Sequence, residues 1–284
     1  MHQGARARAA GQLYAHRHGP DGHSSAADDT LNATTWFQAS LERDLVFREV
    51  YRAAGERLDA ALRDPAWDAL PREERDRDAR GLAPAIIVDV DETVLDNSPQ
   101  QVRQIRARRT DFDEAAWTAW VREAAARPLP GAREFLRAAA ARGVTVYYLS
   151  NRDAALADAT LANLRQAGFP VDGDDRFLGL GAVVEGCTAQ GSSKACRRQL
   201  VGRTHRVLMQ FGDQLGDFVQ IAANTREGRA ATAAPYAGWI GERWWVLPNP
   251  MYGSWESALL GPAARQPAAA RRAAKEAALD DGIK

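Results

Sequence analysis

The sequence has no apolar run approaching the roughly 18 residues that a membrane-spanning helix needs. It has no net charge either. Lys plus Arg equals Asp plus Glu at 37 each, and no polybasic run stands out. An electrostatic footprint for a nucleic-acid polymer or an anionic membrane surface is therefore missing. Cysteine is scarce: Cys187 and Cys196 are the pair. They are too few for a zinc site. A single pair leaves open either a disulfide in an exported protein or two free thiols. The N-terminal stretch lacks the apolar core of about 7–15 residues that marks a signal peptide, and it has no lipobox-like cysteine. Rich in Gly, Ala, Arg and His, residues 1–30 read as a disordered tail.

What remains is a chain of 284 residues, 45% hydrophobic and 26% charged. That suits a globular soluble protein with one large domain, or a core domain plus a smaller one. From Thr34 to about Leu62, apolar residues recur at three- and four-residue steps, which predicts a helix ended by Asp64-Pro65. Ala85–Val90 reads as a buried strand, and an Arg-rich helical segment follows to about Arg127. Pro130-Gly131 opens a helix over Ala132–Arg142 that Gly143 closes. A second strand follows at Val144–Ser150. Asp153 can cap the next helix, Ala154–Gln166. Phe177–Leu180, Arg206–Gly212 and Arg243–Pro248 read as further strands, with helices at Lys194–Val201 and from about Leu215. Strands alternating with helices imply an open, mostly parallel sheet covered on both faces. The Ala/Arg-rich stretch over 261–284 reads as a frayed helix without an assigned role.

In such sheets ligands bind at the carboxyl ends of the strands. The predicted strand ends carry a coherent set. The first delivers Asp89 and Asp91, whose i, i+2 spacing points both to one side. The second delivers Ser150-Asn151-Arg152, and Lys194 opens a helix after the third. The fourth delivers Gly212-Asp213 and, four residues on, Asp217. Several carboxylates repel one another in a small site unless a divalent cation relieves them, and oxygen-only ligands favour magnesium. The ammonium and the hydroxyl suit a second anion, such as a phosphoryl group in transfer.

The four segments resemble, in order, the motifs of the haloacid-dehalogenase (HAD) superfamily: DVDETVLDN the D-x-D-x-T motif, YYLSNR the Ser/Thr-ended strand, Lys194 of GSSKACR the third, and FGDQLGDF the G-D-x-x-x-D motif. DETVLDNS, LSNR, GDQLGDF and LPNPMYGSWE, with WFQASLERD near Trp36, further resemble the bacterial class C acid phosphatases, which include surface-lipoprotein 5′-nucleotidases. The resemblance implies a three-layer, Rossmann-like α/β core over 31–260. It also implies a small helical cap from about 97–130 plus the N-terminal helix region. It implies that Asp89 is the nucleophile and Asp91 the general acid and base. The implied Mg2+ ligands are Asp89, Asp213, Asp217 and the Asp91 backbone carbonyl. Phosphate falls to Ser150, Asn151 and Lys194, and Thr93 shapes the turn. Trp117 and Tyr252 would flank an aromatic leaving group, with the plain alternative that both are core aromatics. An acid phosphatase acting on nucleoside 5′-monophosphates, nicotinamide mononucleotide or aryl phosphates follows, through an aspartyl-phosphate and with an acidic optimum. Asp91 argues against a dehalogenase, which needs no proton donor.

Two rivals stay beside this reading: a non-catalytic phospho-ligand-binding or storage protein, disfavoured by the presence of Asp89, and an intracellular phosphatase for a sugar or amino-acid phosphate. The resemblance implies a periplasmic or outer-surface location, with the cytoplasm as the alternative and a homodimer left open. Arg17-His18-Gly19 matches the core of the histidine phosphatases, but Asp21 stands where that family places an arginine and no buried strand precedes it.

Overall fold

A computed structural model describes residues 30–188 and 191–282. The Arg17–Gly19 decoy and the predicted tail over 1–29 lie outside these residues. Two helices come first: α1, Leu31–Ala39, and α2, Leu41–Arg63. Ser40 separates them in extended conformation, and its hydroxyl accepts from the Arg43 amide as an N-cap. The single helix expected over this stretch is therefore two.

Among the described residues the main sheet has five strands: β1 Ala83–Val88, β4 Thr145–Asp153, β5 Phe177–Leu180, β6 His205–Gly212 and β7 Trp244–Val246. A two-residue hairpin pairs β2, Leu95–Asp96, with β3, Arg127–Pro128. The main-sheet order is β5-β4-β1-β6-β7, and every pairing is parallel. Successive β1 residues alternate between faces. Ile86 and Val88 join a core with Phe47 and Tyr51 of α2 and with Phe135 and Leu136 of α5, Ala132–Ala140. Ala85 and Ile87 join a second core with Val201 of α7, Ala195–Gly202, and with Leu70, Phe218 and Trp244. Both faces of the sheet are thus covered, as a parallel sheet requires.

β1 stops at Val88, two residues short of the predicted end. Both Val94 and Leu95 donate to the Val90 carbonyl, so the chain already turns there. Glu92 takes a left-handed φ of 56° inside this turn, and the Tyr51 hydroxyl holds it by donating to the Thr93 carbonyl at 2.8 Å. The helix expected from Leu215 is a single 3-10 turn, Leu215–Asp217. Asp217 folds back to accept from the Gln214 amide at 2.8 Å, which tightens the turn. The α-helix, α8, starts only at Arg226 and runs to Ala233.

Between β2 and β3 stand α3, Ser98–Arg106, and α4, Glu114–Glu123, where one helical segment was expected. Asp113 caps α4 by accepting from the Ala116 amide at 3.0 Å. α6, Ala157–Gln166, follows β4 through a 3-10 turn that Asp153 caps. The C-terminal stretch is helical, as expected, but only after an opening turn. After α9, Ser254–Leu260, a 3-10 turn over Gly261–Arg265 leads into a helix, α10, Ala268–Ala277.

Candidate active site

The carboxyl ends of β4, β1 and β6 meet where the chain order reverses about β1, and a cavity of about 570 Å³ opens there. Asp89, Asp91, Asn151, Arg152, Lys194, Asp213 and Asp217 line it, as do Trp117 and Tyr252. Ser150 is fully buried and does not line it. Its hydroxyl lies 3.1 Å from an Asp91 oxygen and accepts from the Arg152 amide.

Asp89 is buried at the floor. Its carboxylate accepts from the Lys194 ammonium and, at 3.3 Å, from the Thr93 hydroxyl. The same ammonium donates to Asp217 at 2.7 Å. Burial works against the charge on Lys194, but the carboxylates of Asp217 and Asp89 outweigh it and hold the proton more firmly than usual. Asp213 gives one oxygen to two amide donors, Gln214 at 2.7 Å and Asn249 at 2.8 Å. Burial and then Asp217 push its carboxyl up to about 7. Oxygens of Asp89, Asp213 and Asp217 all lie within 4.8 Å of one another. An all-oxygen cluster whose charge burial resists fits a hard divalent cation.

Asp91 sits apart from that cluster in its own network. Arg152, fully buried, reaches its Oδ1 with Nε at 2.9 Å and a terminal nitrogen at 2.8 Å. Asn97 donates to the same oxygen at 2.8 Å. Asn97 in turn accepts from Trp120 at 2.8 Å and from Arg152 at 3.1 Å, so the hairpin and α4 are tied to the carboxylate. Trp120 is therefore the core aromatic of its helix, while Trp117 faces the cavity.

Sequence reasoning missed several members of this site. Glu92 is completely buried and accepts from the Asn97 amide at 2.7 Å. Burial first, then Asp91, drives its carboxyl well above the usual range. Arg197 is buried among neutral acceptors, chiefly the Ser150 carbonyl, the Asn151 side-chain oxygen at 2.7 Å and the Ser193 carbonyl at 3.2 Å. It joins the C-terminal end of β4 to the start of α7. Arg198 pairs with Glu74 at 2.5 and 2.6 Å and donates to the Gly216 and Asp217 carbonyls, which anchors the Asp217 turn. Asn97 and Asn249 stood inside the quoted motifs. The arginines gave no signal, because a buried and an exposed arginine look alike in a chain. Cys187 and Cys196 form a disulfide, which settles the alternative the sequence left open.

Residues 18–255 match the family model of the HAD superfamily, subfamily IIIB (Acid phosphatase). The chain belongs to this family. The class C acid phosphatase from Bacillus anthracis is similar at 30% identity, over 90% of this chain and 98% of that one, with a TM-score of 0.76. A structure of that class C acid phosphatase with tungstate bound is similar at 31% identity, over 89% and 98%, also at 0.76. The family acts in phosphomonoester hydrolysis, and the cavity at the strand ends is where this chain gathers the chemistry for it.

Proposed function

We propose that the chain is a magnesium-dependent phosphomonoesterase acting on nucleoside 5′-monophosphates or related aromatic monoesters, through a phosphorylated Asp89. The carrying observation is the separation of the carboxylates into two environments: Asp89 against Lys194, and Asp91 against Arg152, Asn97 and Ser150. Such a division assigns different tasks to neighbouring acids.

Asp89 attacks the phosphorus, and its carboxylate oxygen forms the new P–O bond. Asp91 delivers a proton to the leaving-group oxygen as the bond between that oxygen and phosphorus breaks. A water then loses its proton to Asp91 and attacks phosphorus. The Asp89–phosphorus bond breaks and phosphate leaves. Lys194 holds the phosphoryl oxygens and offsets the Asp89 charge between turns of the cycle. Asp89, Asp213 and the Asp91 carbonyl would hold the Mg2+. Asp217, occupied by Lys194 and the Gln214 amide, would mainly orient that shell. The cation would neutralise charge accumulating on the phosphoryl group. Asn151 lines the phosphate end of the cavity. Ser150 acts through Asp91 and the loop rather than at the cavity wall.

The leaving-group end supports an aromatic partner. Trp117 and Tyr252 line it, and the Tyr252 hydroxyl is buried without a hydrogen-bond partner among the described residues. The Bacillus anthracis protein was solved with tungstate, a tetrahedral oxyanion like phosphate. The Cys187–Cys196 disulfide favours an oxidising compartment, in line with a periplasmic or surface location. The test is a turnover screen over nucleotides, nicotinamide mononucleotide, sugar phosphates and an aryl phosphate, with and without Mg2+. Preference for the aromatic esters should fall in Trp117→Ala. Equal preference for sugar phosphates in the wild type would refute the specificity.

A further inference from the structure

The cavity has a wall that the family motifs do not supply. Ala264, Ala268, Arg271 and Lys275 line it together with Trp117 and Tyr252. Steps of three and four residues place Ala268, Arg271 and Lys275 on one face of α10, and Ala264 comes from the 3-10 turn before it. All four are half-buried, while Ala269, Ala270 and Ala273 are exposed. The segment lies beyond residue 255, where the family match ends.

Two ion pairs pin this face across the opening. Arg271 pairs with Asp111 at 2.9 Å and donates to the Thr110 carbonyl at 2.8 Å, both in the loop between α3 and α4. Lys275 pairs with Glu256 of α9 at 2.5 Å. Thr110, Asp111 and Glu256 themselves line the cavity. The helix thus bridges the rim from the α3–α4 loop to α9, and Ala268, with Ala264 of the preceding turn, lines the interior. No residue of α10 is fully buried, so core packing does not account for its position. Its face lines the same cavity as Trp117 and Tyr252, and the α3–α4 loop it holds carries Phe112, whose ring lies 6.4 Å from that of Trp117.

We propose that residues 261–277 form the outer wall of the leaving-group cavity and set the preference for long, planar leaving groups of nucleoside size over short aliphatic ones. This rests on the phosphomonoesterase reading above. Cavities of 300–1,000 Å³ hold drug-sized ligands, and about 570 Å³ closed by this wall suits a nucleoside phosphate. A methyl group at positions 264 and 268 leaves that space open; a large ring would fill it.

The test compares kcat/KM for adenosine 5′-monophosphate with that for glycerol phosphate in the full chain. Ala268→Trp should lower the ratio about tenfold or more, through KM for the nucleotide. Ala273→Trp, on the outward face, should leave the ratio unchanged. A chain ending at Leu260 should lose nucleotide preference in the same direction. An unchanged ratio in Ala268→Trp and in the shortened chain, with both esters still hydrolysed, overturns the wall alone. A wild-type chain that hydrolyses neither ester overturns the phosphomonoesterase reading and the wall with it.

Discussion

The Asp91 network depends on Arg152, whose guanidinium is fully buried and, among the described residues, meets no other carboxylate. Its guanidinium also lies over the Trp117 ring at 5.7 Å, which links the Asp91 network to the cavity wall that Trp117 forms. Arg152→Met should therefore cost most where a proton is most needed. We expect kcat for an alkyl ester to fall about 100-fold, and kcat for a p-nitrophenyl ester, which leaves without help, to fall much less. Equal losses on both esters would show that Arg152 serves only the fold. Asp213 gives a pH dependence of its own. With the carboxyl raised to about 7, Asp213 stays protonated in the folded protein between about pH 4, where an ordinary carboxyl ionises, and about pH 7, and stability is lost across that window. Above about pH 7 the metal-free protein bears the full cost of the buried charge. A cation relieves that cost and must displace the proton at lower pH. The Mg2+-induced rise in Tm should be larger at about pH 8 than at about pH 5.5. Higher Mg2+ should also shift the acid limb of the activity profile to lower pH. A shift independent of pH would contradict this.

At the scale of elements, the strand-end carboxylates and the alternation of strands and helices were legible, because those motifs sit where an apolar run stops abruptly, while Lys194 was found through the resemblance of GSSKACR to a motif. What was not legible depends on contacts between distant segments. The break at Ser40 is a local cap inside one continuous helical pattern. The Leu215 turn is tightened by an aspartate whose partners, the Gln214 amide and Lys194, are set by the site. The role of α10 lies in which residues its face meets, and a composition of Ala, Arg and Lys says nothing about that. The disulfide also acts at this scale, since Cys196 lies on α7 just after Lys194 and anchors the preceding segment to that helix. Replacing both cysteines by serine should cost about 2 kcal/mol of stability by loop-closure entropy. It should also raise KM for phosphate esters more than it lowers kcat, because Lys194 loses its anchored approach. Denaturant midpoints and steady-state kinetics together check this; unchanged values of both would remove the disulfide from the account.

For the whole molecule, a parallel sheet covered on both faces collects its functional ends at one edge, and nothing in the overall charge competes with that edge for anionic ligands. The helices between β2 and β3 and the C-terminal helix then enclose the opening from two directions. Stability and activity meet at the same carboxylates, so the protein should be most robust when metal and oxyanion are bound together. The central claim is that Asp89 takes the phosphoryl group. Rapid-quench mass spectrometry during turnover of an aryl phosphate with Mg2+ tests it most directly. The account predicts one phosphoryl group on the Asp89 peptide of the wild type, and none, with turnover lost by about 10³-fold or more, in Asp89→Asn. An Asp89→Asn protein that turns over near the wild-type rate, with no phosphoryl group ever found on the Asp89 peptide, would contradict it.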